Sequence, residues 1–315
     1  MKSYTLRVEG TQAVLQRVDT AVPEPGPGQV LLKMHAAALN RGEFIPGGLI
    51  KGGASKPAGI EGAGEVVALG AGVTTLATGQ RVMGRCAGAF SEYAVMDVRE
   101  ALPVPPGLAM TDAAAVPLTF LVVHDMLVLQ GRLKAGEWLL ITGVSSGVGV
   151  ASLQAARLIG ARVIGTSGSA DKLARLQALG LDVPLHTRAA DFADRVMSAT
   201  GGHGSDLVVN TVGGSVFAEC VRTMAFEARL ATVGYVDQQL QATIDLQALH
   251  ARRLTLFGVS NKMRNADQRA AGVPAFGDGR IRPLIDRVFP FDDLPAAQAH
   301  MQANQHLGKI VLAMA

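Results

Sequence analysis

One segment of the chain, from Glu137 to Lys172, constrains the fold more than any other. It reads as a strand, a glycine-rich turn, a helix and a second strand, at 137–142, 143–149, 148–159 and 162–166. Gly160 follows the helix at the position where a left-handed glycine commonly ends one. This order of elements predicts one unit of a parallel sheet.

The turn of this unit predicts a dinucleotide site. A pyrophosphate needs close backbone approach and unpaired N–H groups at a helix N-terminus, and a turn placed before a helix supplies both. The residues expected there are Ser145, Ser146, Gly147 and Val148. Because Val144 and Ser146 stand where the strict pattern has glycine, an ordinary strand-to-helix loop is the alternative interpretation.

The end of the second strand indicates which dinucleotide binds. NAD enzymes usually place Asp or Glu there, about 20 residues past the glycine turn, to bind the ribose hydroxyls. This chain has Thr166 and Ser167 instead, and Asp171 lies in the first turn of the next helix, where a carboxylate suits the dipole. Hydroxyls followed by the cation of Lys172 suit a 2′-phosphate, so the segment predicts NADPH. A solvated helix lysine is the alternative for Lys172.

Composition excludes several classes of protein. The 315 residues suffice for two domains, each with its own core. Net charge is only +3 and the 29 Lys and Arg are dispersed, so nucleic acid is not expected as a partner. Neither a membrane-spanning apolar stretch nor a signal peptide is expected. Two distant cysteines, Cys86 and Cys220, favour free thiols in the cytoplasm.

The chain changes character along its length. Residues 1–100 are rich in glycine and proline and carry short alternating runs, which predict a small barrel-like β domain. Six strands that alternate with helices predict a doubly wound parallel sheet, at 137–142, 162–166, 183–186, 205–210, 228–233 and 253–258. A short helix at 294–303 lies between two apolar runs, and this C-terminal segment predicts a hairpin or strand pair that rejoins the first domain.

Six short motifs carry a family resemblance, at Pro57–Val66, Gly79–Gly84, Gly88–Tyr93, Gly143–Gly149, Gly165–Lys172 and Gly308–Leu312. In this order they resemble the zinc-free medium-chain dehydrogenases/reductases of the quinone oxidoreductase (zeta-crystallin-like) type. The resemblance implies an α/β fold with a GroES-like β-barrel domain at 1–118 and 275–315 and a Rossmann domain at 119–274. It also implies NADPH in the cleft between the domains and, often, a homodimer.

The same resemblance bears on metal binding. Zinc-using relatives place a cysteine in the segment that matches 40–43 and a histidine in the segment that matches 59–61, and this chain has neither there. Structural zinc in those relatives needs four clustered cysteines, whereas this chain has two in total. We therefore expect no metal and a hydride that passes from NADPH to a small electrophilic substrate.

Ligands of open parallel sheets bind beyond the carboxyl ends of the strands. The residues expected there are Asn210, Val212, Gly234, Tyr235, Val259, Ser260 and Asn261. The resemblance implies that the first and last of these loops border the nicotinamide and that Asn40 lies at the edge of the active site, although a loop-capping role is its alternative. It also implies that His186 replaces a tyrosine near the 2′-phosphate, with Arg188 beside it.

Three departures from the family pattern concern the substrate pocket. Val122 and His124 replace the usual threonine and tyrosine, and residues 44–48 lack the usual tyrosine and arginine. These changes predict an apolar pocket of different shape. Segment 262–279 is shorter than in most relatives, which predicts a more open cleft.

Two functions from different classes remain open at this point. The first is an NADPH-dependent reductase of quinones or activated alkenes, in which Tyr235 is a candidate proton donor and bulk water the competing source. The second is an NADPH-binding crystallin-like or regulatory interaction protein with little turnover. In either case the apolar strand 253–258, expected at a sheet edge, predicts a homodimer.

Overall fold

The computed structural model describes residues 1–9, 12–45, 55–260 and 280–314. The chain divides into two compact units, Met1–Thr119 with Asn265–Ala315, and Phe120–Arg264. Within the described ranges, no helix has both the length and the apolar character needed to cross a membrane.

The regular elements are numbered in chain order. The strands are β1 (Lys2–Glu9), β2 (Gln12–Asp19), β3 (Gln29–Ala38), β4 (Lys56–Pro57), β5 (Glu61–Leu69), β6 (Arg81–Arg85), β7 (Tyr93–Asp97), β8 (Leu102–Pro103), β9 (Trp138–Thr142), β10 (Arg162–Ser167), β11 (Val183–His186), β12 (Ser205–Asn210), β13 (Met224–Thr232), β14 (Thr255–Gly258), β15 (Ile285–Pro290) and β16 (Lys309–Ala313). The helices are α1 (Met110–Ala114), α2 (Pro117–His124), α3 (Gly147–Ile159), α4 (Ala170–Gln177), α5 (Ala193–Ala199), α6 (Phe217–Thr223), α7 (Leu246–Ala251) and α8 (Leu294–Gln302). Short 3-10 turns occur at Arg41–Phe44, Gly214–Val216 and Phe291–Asp293, and a π-helical turn at Asp125–Gln130.

The long strand β3 organises the first unit. One of its edges pairs with β5, while the other pairs with β7 through its first half and with β16 through its last residues. Register shifts between β3 and β5 add curvature to this sheet. A second sheet, in the order β2-β1-β4, contributes Tyr4 and Leu6 to the same core as Val30 and Phe90. The predicted small β domain is confirmed.

The C-terminal strands join the first unit, but they do not form a hairpin. β15 and β16 pair in parallel, and β16 pairs antiparallel with β3. Because two parallel strands cannot be joined by a tight turn, α8 crosses between them and packs Leu294 and Ala297 into the core. The strand pair expected from the sequence is therefore right, and the hairpin alternative is wrong.

The second unit is a six-stranded parallel sheet in the order β11-β10-β9-β12-β13-β14. The chain starts at β9 in the centre, runs outward to β11, and returns to β12 before it runs to the other edge, which is the doubly wound pattern. Every residue of β9 is buried, as expected for a strand covered on both faces. The predicted α/β class is confirmed.

The predicted strands match those observed to within a few residues. The largest difference is β13, which begins at Met224 rather than at 228, and β14 begins at Thr255 rather than at 253. Arg253 has a left-handed backbone, with φ 53°, in the turn that follows α7, and this conformation delays the start of β14. β14 lies at the edge of the sheet, as expected.

Candidate functional site

In the turn between β9 and α3, close packing replaces one of the glycines of the strict pattern. Val144 is fully buried, and a side chain at Gly165 of β10 would lie 2.7 Å from it. Val144 therefore fills space that the neighbouring strand leaves open. A side chain at Gly149 would lie 2.6 Å from the Val144 carbonyl oxygen, so glycine is required there. These contacts explain how the turn tolerates valine where the strict pattern has glycine.

The first backbone N–H groups of α3 lie at the end of this turn. Ser146 is the N-cap residue, and its Oγ accepts a hydrogen bond from the Gly149 N–H at 3.1 Å. Gly147 and Val148 are the first residues of the helix, so their N–H groups have no partner inside it. The structure thus brings Ser145, Ser146, Gly147 and Val148 together as the sequence predicts, in an arrangement suited to an anion.

Hydroxyl groups tie the end of β10 to the turn. The Thr166 Oγ1 accepts a hydrogen bond from the Gly143 N–H at 3.1 Å, and the Ser167 Oγ donates to the Ser145 Oγ at 3.3 Å. Lys172 lies in the first turn of α4, where its N–H donates to the Ser169 Oγ at 3.4 Å. The predicted phosphate-binding hydroxyls and Lys172 therefore lie in one short segment of the chain.

Two further basic side chains, one histidine and one arginine, flank this strand end. His186 is exposed at the end of β11 and is the register partner of Ser167. The stem and Nε of Arg188 lie against Gly168 so closely that a side chain at residue 168 would overlap them. The sequence from Gly165 to Ser169 contains no carboxylate. This strand end therefore offers hydroxyl groups and a neighbouring guanidinium, without a carboxylate between Gly165 and Ser169, to a 2′-phosphate.

Asn210 shapes the loop after β12. Its side chain is fully buried, and its Oδ1 accepts hydrogen bonds from the N–H groups of Val212 and Gly213, at 3.0 and 3.1 Å. Its Nδ2 donates to the Gly213 carbonyl at 2.9 Å. The sequence places Asn210 among the residues that face a ligand. The structure turns its amide into its own loop, where it positions the backbone of Val212 and Gly213.

The loop after β13 is bonded to the loop after β12. Gly234 lies against the Thr211 carbonyl, where a side chain would come within 2.7 Å, and the Asp237 N–H donates to the Val212 carbonyl at 3.1 Å. Tyr235 is 40% exposed on this joined surface. Val259 follows β14 and donates its N–H to Thr232 at 3.2 Å. Ser260 is exposed, and Asn261 lies outside the described residues.

Asp237 is a structural member of this surface that sequence reasoning missed. Its carboxylate lies against Gly213 and accepts hydrogen bonds from the N–H groups of Ser215, at 2.8 Å, and Gln239, at 2.9 Å. Desolvation opposes ionisation, but these hydrogen bonds outweigh it and lower the pKa of Asp237. The only sequence signal was an Asp that begins a turn two residues after Tyr235.

In the first unit, Asn40 belongs to a buried polar cluster with Glu43, Glu61 and Lys309. Its Nδ2 donates to Glu61 Oε1 at 2.8 Å and to Glu43 Oε1 at 3.2 Å, and its Oδ1 accepts from Lys309 Nζ at 2.8 Å. The Asn40 N–H also donates to Glu43 Oε1, at 3.0 Å, so the loop-capping alternative for Asn40 is part of the observed geometry. Glu43 and Lys309 were not predicted from the sequence as site residues, although a lysine in the apolar strand β16 was a signal of a buried polar cluster.

Burial changes the acid–base properties of this cluster. Desolvation raises the pKa of Glu43 to about 8, with the Glu61 carboxylate adding to the effect and Asn40 and Lys309 opposing it. The nearby Cys86 thiol is buried, and desolvation together with both carboxylates raises its pKa to about 12. Cys220 in the second unit is also a buried free thiol. Among the described residues, no group of three or more His, Cys, Asp and Glu is arranged to hold a metal ion.

The departures near the expected pocket are only partly described. Val122 is buried in α2, and Phe44 is buried and stacks on Phe90 with ring centroids 6.5 Å apart. Residues 46–54 and 261–279 lie outside the described ranges, so the expected effects of 46–48 and of the shorter segment 262–279 stay predictions.

Comparison with known proteins identifies the superfamily. The model of the alcohol dehydrogenase GroES-like domain matches residues 26–106, and the model described as zinc-binding dehydrogenase matches residues 147–271. The chain belongs to the medium-chain dehydrogenase/reductase superfamily. The predicted resemblance and the GroES-like and Rossmann folds are thereby confirmed.

Solved members of the superfamily resemble the chain over its whole length. A mycobacterial protein complexed with NADPH has a TM-score of 0.92 at 28% identity and covers 99% of this chain and 100% of its own. A quinone oxidoreductase of Pseudomonas syringae pv. tomato has a TM-score of 0.87 at 25% identity, and covers 99% of this chain and 100% of its own. The ligand of the mycobacterial protein is the cofactor predicted here from Ser167 and Lys172.

Curated relatives are much longer proteins. The pikromycin polyketide synthase component PikAII of Streptomyces venezuelae is 34% identical over 314 residues, which is 98% of this chain. The match spans 8% of that relative, so the chain corresponds to a small part of it.

Proposed function

We propose that the protein is an NADPH-dependent oxidoreductase that transfers hydride to a quinone or an activated alkene without a metal. The observation that carries the proposal is the polar cluster at the carboxyl end of β10. There Arg188 packs on Gly168, Ser167 bonds to the glycine-rich turn, and Lys172 lies in the first turn of the next helix. The mycobacterial relative complexed with NADPH supports the same cofactor.

The residues present fit a dinucleotide that carries a 2′-phosphate. The N–H groups of Gly147 and Val148 would hold the pyrophosphate, because they open α3 and have no partner within it. Ser167, Lys172 and Arg188 would hold the 2′-phosphate through charge-assisted hydrogen bonds. The loops that contain Val212, Tyr235 and Val259 form the surface for the nicotinamide. When bound, NADPH supplies the hydride.

The class of hydride acceptor follows from the groups that the chain has to stabilise the negative charge that forms on it. Asn40 and Ile60 lie in the segments where zinc-using relatives have metal ligands, so the substrate must be reducible without Lewis-acid help. Quinones and conjugated enones or enals meet this condition, because the anion that forms is delocalised and needs only modest stabilisation. The quinone oxidoreductase among the structural neighbours supports this class.

A proton must reach the α-carbon of an enone after the hydride. Tyr235 is the candidate donor on the surface formed by the loops after β12 and β13, and its partial exposure leaves the hydroxyl accessible. Quinone reduction does not need this donor, because the reduced quinone takes protons from solvent.

A screen of NADPH oxidation tests the proposal. The purified protein is assayed with NADPH or NADH against a panel of quinones, enones and enals, with no added metal. We expect turnover with NADPH and at least one class of acceptor. Oxidation of neither cofactor by any acceptor would contradict the reductase proposal.

A second candidate is an NADPH-binding protein with little turnover. The observation that favours it is the commitment of the Asn40 amide, whose Nδ2 already donates to two carboxylates and whose Oδ1 accepts from Lys309. Tight NADPH binding in calorimetry together with no turnover in the screen would select this candidate over the reductase.

Assembly and location complete the proposal. β14 is an edge strand among the described residues, and the same unit exposes the apolar side chains of Phe226 in β13 and Leu246 in α7, which supports a homodimer. Cys86 and Cys220 are buried free thiols, which suits the reducing cytoplasm. The expected partner is a small electrophilic molecule rather than nucleic acid or membrane.

A further inference from the structure

The polar cluster of the first unit combines two carboxylates with one ammonium. Glu61 is fully buried at the start of β5, Glu43 is 3% exposed in the 3-10 turn Arg41–Phe44, and Lys309 is 5% exposed at the start of β16. Lys309 Nζ lies 2.8 Å from Glu61 Oε1, and Glu61 Oε2 accepts the Leu118 N–H at 2.8 Å. Lys309 and Glu61 therefore form a compensated ion pair.

Among the described residues, no group that faces Glu43 compensates its charge in this way. Its Oε1 accepts two hydrogen bonds from Asn40, one from the backbone N–H and one from Nδ2. The titratable groups near it are Glu61, Lys309 and Cys86. The lysine is already paired, the glutamate repels a second negative charge, and the thiol is neutral. An uncompensated buried charge costs several kcal/mol, so a carboxyl in this position binds a proton instead.

The hydrogen bonds also indicate which oxygen holds the proton. Because Glu43 Oε1 accepts from two N–H groups, it acts as the carbonyl oxygen of a neutral acid, and the proton belongs on Oε2. The pKa of about 8, raised chiefly by desolvation, agrees with this state near neutral pH.

The cluster fixes the orientation of the Asn40 amide. Its Oδ1 faces the Lys309 ammonium and its Nδ2 faces both glutamates. A flipped amide would set Nδ2 against the ammonium and Oδ1 against the two carboxyl oxygens, so only one orientation satisfies every group. When Glu43 ionises, the hydrogen bonds that it accepts from Asn40 strengthen, but two carboxylates then compete for the Lys309 ammonium and weaken its hold on Asn40 Oδ1.

We propose that Glu43, as a neutral acid, and Lys309 are positioning residues of the reductase, which together hold Asn40 in the one orientation that turnover uses. The proposal rests on the proposed function, since Asn40 is the residue that the family resemblance places at the edge of the active site. Neither Glu43 nor Lys309 needs to touch substrate or cofactor in this role.

The pH dependence of turnover tests the role of Glu43. In the wild type, kcat with a quinone acceptor should fall as the pH rises through about 8, as Glu43 loses its proton. In Glu43→Gln this step should disappear, because the amide keeps the hydrogen bonds and cannot ionise. Glu65→Gln, on the same strand as Glu61 but only half-buried, is the matched control and should keep the step.

Rescue by a conservative variant tests the role of Lys309. Lys309→Met should lower kcat by at least about tenfold, because small misplacements of an active-site group have effects of this size. KM for NADPH should change much less than kcat, and Lys309→Arg should restore most of the loss. A purely structural lysine would instead lower the unfolding temperature in proportion to the lost activity in both variants.

An infrared measurement does not depend on turnover. The carbonyl stretch of a protonated carboxylic acid should be present in the wild type at neutral pH and absent in Glu43→Gln. Wild-type turnover with an unchanged pH step in Glu43→Gln, or with no protonated carboxyl band, would overturn the inference and leave the proposed function intact. If the wild type fails to oxidise NADPH with every acceptor of the panel, the proposed function is overturned, and this inference with it.

Discussion

The side chain of Arg188 lies across the backbone of Gly168, so that a methyl group at residue 168 would overlap its Nε, Cγ and Cδ atoms. The contact sets a guanidinium beside the end of β10, where Ser167 and the glycine-rich turn meet. The contact is possible only because residue 168 has no side chain, so a substitution of Gly168 tests its role.

Gly168→Ala should displace Arg188 and weaken NADPH binding while NADH binding changes little. One charge-assisted contact is typically worth about 1.5–3 kcal/mol, so we expect a loss of roughly tenfold or more in NADPH affinity. Calorimetric titration of both cofactors measures the effect. Gly42→Ala is the control, because a side chain there has open space. An equal loss for both cofactors would show that the substitution disturbs the fold rather than the phosphate site.

Tyr235→Phe should slow the reduction of an enone markedly and leave quinone reduction nearly unchanged. The reason is that only the enone needs a positioned proton donor after the hydride has been transferred. Steady-state rates with one acceptor of each class measure the difference. If both rates hold, water is the proton source and Tyr235 has no catalytic role.

The protein should have the mass of a homodimer in solution, because β14 is the last strand of the sheet within the described residues and its outer edge can pair with a second copy. Thr255→Lys places a charge on that edge and should shift the protein toward the mass of one chain. Light scattering at micromolar concentration reports the mass, and Thr20→Lys, at an exposed position of the first unit, is the control. A monomeric wild type would exclude this assembly.

Exhaustive chelation should leave activity unchanged. The segments 40–43 and 59–61, where zinc-using relatives place ligands, contain no Cys or His in this chain. The comparison is between chelated and untreated protein, with metal content measured by atomic emission. Stoichiometric zinc whose removal abolishes turnover would refute the prediction.

Local sequence patterns predict much of this fold. The strands of the parallel sheet are short apolar runs bounded by turn residues, and the burial of every residue of the central strand β9 makes the pattern clearest there. The N-cap at Ser146 and the left-handed Gly160 likewise depend only on neighbours in sequence. These features are visible because the interactions that produce them are local.

Long-range contacts account for what the sequence did not predict. The parallel pairing of β15 and β16 depends on where the β3 edge lies in space, which no local pattern specifies. Lys309 contacts Asn40 from a strand near the opposite end of the chain, so their joint role with Glu43 appears only after folding. The inward direction of the Asn210 amide is likewise decided by Thr142 on a neighbouring strand, whose Oγ1 donates to Asn210 Oδ1 at 3.2 Å.

The central claim is that Ser167, Lys172 and Arg188 at the end of β10 select NADPH, and titration of both cofactors into Lys172→Ala tests it most directly. Lys134→Ala is the control, since that exposed lysine precedes β9 and lies on the side of the sheet where the strands begin, away from the carboxyl ends. The wild type should bind NADPH at least about tenfold more tightly than NADH, as one phosphate contact implies. Lys172→Ala should lose affinity for NADPH alone. Equal losses for both cofactors, or no loss for either, would contradict the account.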